Sequence, residues 1–319
     1  MKKHNNKFFI IIVPICIILI LAMIFYDRYQ TSQLAKKYND TNNQTTQVSS
    51  NNDLATIYCV GDSLTLGTSD VTSYPGYLKE NLKNDIEIIG DNHINSQALA
   101  IKLGNQDVYV NNFTIPSDTN AVSITLLNEN GEVIDALINS QTGIESCIIN
   151  NIAGTISYDS NSNQLLFKRL EAGDSSMITT LTKIEITKPE ILNDNILILF
   201  TGSYEESIQG SLVNYQKQII DSFNTDKYIV VSLTIDNRDA TNNLLANTYG
   251  EHYLDFKNYL LTNGLNDAKI TATSEDQMAL ANNSVPSSLL IDDINGNNYY
   301  HQLLANQLIN KMHELGYIN

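Results

Sequence analysis

Three apolar runs set the frame of the chain: Ile57-Tyr58-Cys59-Val60, Ile196-Leu197-Ile198-Leu199-Phe200 and Tyr228-Ile229-Val230-Val231-Ser232-Leu233. Runs this short and this apolar suit parallel strands buried on both faces. Ile86-Glu87-Ile88-Ile89-Gly90 reads as another strand, and residues 252–262 as a short strand and helix ending at Asn263-Gly264. Helical spacing lies between these runs. Tyr74 to Leu82 has Pro75 near its start, Gln97 to Leu103 is short, and a longer helix spans about Glu205 to Phe223. The last element, about Tyr300 to Leu315, has apolar residues at 303, 304, 308, 309, 312 and 315, a stripe that faces a core. Strand and helix in this order predict a doubly wound α/β domain of five parallel strands covered on both sides.

The period changes between about Asn105 and Glu190. Val108-Tyr109-Val110, Val122 to Leu126, Glu132-Val133-Ile134, Thr155 to Tyr158, Leu165-Leu166-Phe167 and Ile184 to Thr187 read as short strands, with turns at Asn130-Gly131 and Ser160 to Asn163. An all-β subdomain of residues 105–190 is therefore expected inside an α/β domain of residues 55–104 and 191–319. It carries no ligand motif; of its two readings, glycan binding near the edge of the sheet and packing over the core as a lid, the second is the simpler.

At the amino end, Phe8 to Tyr26 contains no charge and just reaches the length of a membrane span. Lys2, Lys3 and Lys7 precede it, which predicts a cytoplasmic tail of residues 1–7, a transmembrane anchor at 8–26 and an extracellular remainder. No small-residue cleavage site follows the run, so an uncleaved anchor in the lipid bilayer is expected rather than a signal peptide. Residues 27–54 are polar and read as a flexible stalk. With 319 residues, 42% hydrophobic, the chain can build one substantial domain and a smaller one. Its net charge of −16 argues against nucleic acid or anionic lipid headgroups as partners. Cys16, Cys59 and Cys147 fall in three different segments and give no disulfide framework, and five scattered histidines make no metal site. No cofactor motif is found.

Gly61-Asp62-Ser63 ends the first strand. A turn there places Ser63 at the carboxyl edge of the sheet, beside the free N–H groups of a helix start, where a hydroxyl can act as nucleophile and an oxyanion can be stabilised. The simpler reading is that Asp62 and Ser63 cap the helix. The far end of the chain bears on the choice: Ser284-Val285-Pro286 through Asp292-Asp293-Ile294-Asn295, then Tyr299-Tyr300 and the final helix. Together the two blocks resemble the SGNH/GDSL hydrolases over about residues 55–319, and are most similar to bacterial extracellular members with a β-rich insertion. The resemblance implies a flavodoxin-like three-layer sandwich around a central parallel sheet.

It also implies a site. Ser63 stands at the nucleophile position and Asp292 at that of the orienting acid. Asn295 stands where the family has its histidine base. In the second block, Gly90-Asp91-Asn92-His93, His93 replaces the glycine whose N–H enters the oxyanion hole. In the third, Tyr204 takes the place of an asparagine. Of the four residues that name the family, only the serine remains. A neutral amide cannot accept the serine proton, a change that removes the ordinary mechanism by several powers of ten. His93 has two readings, an alternative base beside Ser63 or an oxyanion N–H, the latter strained if its φ is positive.

Two functions follow. One is a membrane-anchored, outward-facing protein that has lost ordinary esterase chemistry and binds a cell-surface glycan or a partner protein. The other is an active carbohydrate esterase or deacetylase acting on an acylated carbohydrate through Ser63 and a relocated base such as His93. A third, purely structural reading leaves Ser63 as a helix cap without a ligand.

Overall fold

The computed structural model describes residues 54–205 and 211–319. The expected tail and anchor and the expected stalk as far as residue 53 lie outside the described residues, as does the stretch 206–210 of the expected third helix. Among the described residues, no helix is long and apolar enough to cross a membrane.

Strand β1 (Thr56–Gly61) runs into helix α1 (Ser63–Leu66), followed by α2 (Tyr74–Asn81), β2 (Ile86–Gly90) and α3 (Ser96–Lys102). An antiparallel region then intervenes: β3 (Tyr109–Val110), β4 (Phe113–Ile115), β5 (Val122–Ile124), α4 (Ala136–Asn139), β6 (Ile144–Ile149), β7 (Ile152–Asp159), β8 (Gln164–Arg169), β9 (Ser176–Ile178) and β10 (Thr182–Ile186). The first pattern resumes with β11 (Asn195–Phe200), α5 (Ser211–Phe223), β12 (Tyr228–Val231), α6 (Asp239–Tyr249), β13 (Tyr253–Leu254), α7 (Phe256–Tyr259), α8 (Ser274–Ala281) and α9 (Asn298–Glu314). The helix after β13 does not stop at Asn263-Gly264: it widens into a π turn over Leu260–Gly264 and continues to Asp267.

The parallel sheet has the order β13-β12-β11-β1-β2. Its chain therefore turns back at β1, between β2 on one side and β11 on the other, and such a reversal opens a crevice at the carboxyl ends of the two strands. Alternate residues of each central strand feed opposite cores. Ile57, Cys59, Ile196, Ile198 and Phe200 pack with Tyr74 and Leu78 of α2 and Tyr300, Leu304 and Leu308 of α9. Tyr58, Val60, Leu197 and Leu199 pack with Leu99 and Ile101 of α3 and Leu212 and Ile219 of α5.

The antiparallel region forms a six-stranded sheet, β3-β10-β6-β7-β8-β5, and a two-stranded ribbon, β4-β9. The expectation of a β-rich segment holds at this level, with differences in detail. Glu132-Val133-Ile134 is not a strand but closes a tight loop through a single bridge from Val133 to Leu127. Strands β4, β6 and β9 and helix α4 escaped the sequence reading. Apolar residues of this sheet, among them Ile144, Ile156 and Phe167, join the same core as α3 and α5, so the region is fused to the α/β body. Cys59 and Cys147 are buried free thiols in different cores.

Candidate functional site

Ser63 sits where the topology predicts a crevice, one residue past Asp62 at the end of β1. Gly61 makes the turn possible. A Cβ there would lie 2.1 Å from the Phe200 carbonyl oxygen and 2.3 Å from Thr65 Oγ1, so no larger residue fits between β1 and β11. Asp62 caps α1 by accepting the Leu64 N–H at 3.0 Å. Ser63 does not share that task, because its hydroxyl is engaged elsewhere.

Two side chains from distant loops converge on Ser63 Oγ. Tyr204, four residues past the end of β11, places its hydroxyl 2.8 Å away, and Asn295 Oδ1 lies at 2.9 Å. Asn295 in turn donates from Nδ2 to Asp292, 2.8 Å to Oδ2 and 3.1 Å to Oδ1. The backbone N–H groups of Ile294 and Asn295 also point at Asp292 Oδ1, at 2.9 and 2.7 Å. These contacts belong to a tight hairpin that runs just before α9, closed by the Leu290 to Gly296 bridge. The hairpin lies against Tyr300: a Cβ on Gly296 would sit 2.2 Å from that ring, so glycine lets Asn295 approach the sheet edge.

The protons in this chain can be assigned. Burial works against charge on Asp292, but the donors of Asn295 and Ile294 outweigh it and hold its pKa below the usual carboxylate range. An ionised carboxylate only accepts, so the Asn295 amide must turn Nδ2 toward Asp292 and Oδ1 toward Ser63. The single serine proton then goes to Asn295 Oδ1, and Tyr204 is left to donate its own proton to Ser63 Oγ. Burial raises the Tyr204 pKa; the Ser63 hydrogen bond opposes the rise and the charges of Asp62 and Asp292 add to it, so the phenol stays protonated. Relative to a serine, histidine and aspartate chain, the same three positions are linked in the same order, but the middle member carries no basic lone pair.

His93 is placed beside this chain rather than in it. Its ring meets the Tyr204 ring edge-on, with centroids 5.1 Å apart, and among the described residues both hydrogen-bond partners of Ser63 Oγ are Tyr204 and Asn295. Its φ of 59° is left-handed, a conformation that costs a non-glycine residue about 1–2 kcal/mol. The condition under which its N–H would fit the oxyanion hole without strain is thus not met. The other histidines among the described residues lie elsewhere. His301 is buried in α9 with Nδ1 unpartnered, and burial pushes its pKa down to about 4. His252 stacks on Tyr228 and meets the Tyr317 hydroxyl, while His313 is in the last turn of α9.

Sequence reasoning named Asp62 only as a helix cap and Glu205 only as a helix start, and missed what both do behind the site. Asp62 is wholly buried with Oδ2 unpartnered, and desolvation pushes its pKa up to about 6 against the opposing hydrogen bond from the Leu64 N–H. Glu205, next to Tyr204, accepts the Ser96 N–H at 2.5 Å and so ties the tyrosine loop to the start of α3. Neither was legible beforehand, because a lone acidic residue in a loop carries no sign of its burial. Among the described residues, no group of histidine, cysteine and acidic side chains is arranged to hold a metal ion.

Neither the comparison with family models nor that with curated proteins finds a match for this chain. Among solved structures, the chain is similar to an active site mutant of a family two carbohydrate esterase from Clostridium thermocellum in complex with celluohexase. Identity is 11% and the TM-score 0.36, over 83% of this chain and 65% of that one, so the chain spans just under two thirds of that esterase's length.

Proposed function

We propose that the chain is an SGNH-hydrolase-like protein that does not run serine ester hydrolysis and instead uses the Ser63 site to bind a cell-surface carbohydrate, held at the outer face of the membrane by residues 8–26. One observation carries the reading: Ser63 donates its proton to the Asn295 amide, an acceptor too weakly basic to keep it, in place of an imidazole. A second supports it. Where the SGNH resemblance puts an amide N–H donor for the oxyanion, this chain has Tyr204, whose only proton is committed to Ser63 Oγ. Both the base and one oxyanion donor are gone, each a loss on the order of 10²-fold or more. Hydroxyl, amide and carboxylate groups beside the half-buried Tyr204 ring suit a sugar, and the acidic net charge disfavours polyanions. The anchor rests on the lysines and the uncharged run of the amino end.

The test is hydrolysis of 4-nitrophenyl acetate by the purified protein. Wild type is expected to match Ser63→Ala. Asn295→His is expected to raise the rate about 10²-fold, because an imidazole there can take the serine proton and give its other N–H to Asp292. Wild-type turnover that disappears in Ser63→Ala would refute the reading, and loss of it in His93→Ala as well would restore the relocated-base alternative.

A further inference from the structure

The proton assignment also says what kind of ligand the site is built to meet. This step rests on the carbohydrate reading and narrows it. Ser63 Oγ has given its proton to Asn295 and received that of Tyr204, so its remaining lone pair is an acceptor. Tyr204 Oη, with its proton spent, offers only lone pairs. Asn295 Oδ1 is a carbonyl oxygen with one lone pair still unused. Asp292 Oδ2 accepts only the Asn295 amide and has further capacity. Oxygens of Ser63 on α1, of the Tyr204 loop and of the Asp292 to Asn295 hairpin thus keep acceptor capacity along one hydrogen-bonded chain.

The field there is negative as well. The carboxylates of both Asp62 and Asp292 act on the Tyr204 hydroxyl, and among the described residues no lysine or arginine pairs with Asp292. A site of this kind is poorly suited to the oxygen of an acyl group, which needs donors, and well suited to a cation that donates. We propose that the Ser63 site recognises the deacylated form of its carbohydrate, an amino sugar whose free, protonated amine donates to Asp292 and to the Ser63 and Tyr204 oxygens. In place of an enzyme's acylated substrate, the site holds what deacylation leaves behind.

The experiment is calorimetric titration of the full-length protein, in detergent micelles, with a glucosamine hexamer and with the corresponding N-acetylglucosamine hexamer. The free-amine hexamer is expected to bind at least about tenfold more tightly. Asp292→Asn is expected to abolish that preference, and Tyr204→Phe, which leaves the Asp292 contacts intact, to weaken free-amine binding several-fold. Equal affinities, or a preference for the acetylated hexamer, would overturn the inference and leave the carbohydrate reading standing. Absence of binding by both would overturn the two together. If Asp292→Asn does not fold, Tyr204→Phe decides, and unchanged affinity in that variant counts against the proposal.

Discussion

At the scale of single residues, the departures from the SGNH pattern that the chain resembles agree with one another. Asparagine at 295, where that pattern has histidine, offers no base and keeps the chain of contacts, because an amide can still bridge an alcohol and a carboxylate. Tyrosine at 204, where the pattern has asparagine, lacks the amide donor and brings a longer arm that still reaches the serine. In the Asn295→His background, Tyr204→Asn should therefore raise acetate ester hydrolysis by a further factor of about 10 to 10², as the oxyanion regains a donor. A second prediction concerns two buried groups whose pKa values move in opposite directions, Asp62 and His301. Asp62, raised from 3.8 to about 6, holds its proton more firmly when folded, so it contributes stability below pH 4 that is lost as pH climbs through 6. His301, lowered from 6.5 to about 4, binds its proton less firmly when folded and contributes stability above pH 6.5 that is lost as pH falls through 4. The two effects oppose each other between pH 4 and 6. Measured as Tm against pH, Asp62→Asn should become more acid-sensitive than wild type over that range and His301→Gln less so.

At the scale of elements, what could be read from the sequence follows from where each element is buried. Strands β1 and β11 were legible because both faces are covered and the chain there is apolar without a break. Strands β7 and β8 declared themselves by alternation, with Leu165 and Phe167 inward and Gln164 and Lys168 outward. Helix α8 gave no signal because it has no apolar stripe: its one buried residue is Asp276, and its start is fixed by a capping box with Thr273. Strand β6 hid behind Glu145-Ser146-Cys147, whose mixed character fits no simple period, and β4 and β9 are only three residues long. The site was half legible. Its residues lie in loops that no periodicity describes, so Ser63, Asp292 and Asn295 were found by their motif, while the reach of Tyr204 and the burial of Asp62 depend on how loops far apart in the chain fold together. The loop carrying His93 is fixed from the β-rich side too, since the Asn95 N–H donates to Ser140 Oγ at 3.0 Å just after α4. Ser140→Val should therefore alter ligand affinity at the Ser63 site without touching it, read by the same titration as above, with a change of a few-fold expected.

At the scale of the whole molecule, the β-rich region and the α/β body share one apolar core, which predicts that they unfold as one unit. Val60, Leu199, Leu99 and Ile101 lie in the same contiguous core as Ile144, Ile156 and Phe167. Polar ties reinforce the joint: Lys102 at the end of α3 pairs with Asp91 beyond β2 at 2.9 Å and with Glu145 of β6 at 2.8 Å, and Thr142 also donates to Asp91. An inserted module with its own core would unfold in its own transition, at its own temperature. Here removal of contacts on one side leaves apolar surface bare on the other, so the two parts share their stability. Phe167, wholly buried in β8, tests this: Phe167→Ala should cost about 3–5 kcal/mol. Calorimetry should show a single transition in wild type and a single, lower one in the variant, with the α/β body losing its structure at the same temperature as the β-rich region. Two separated transitions, with only the first moved by the substitution, would mean that the cores touch without being coupled, and the ligand site would then be held by the α/β body alone.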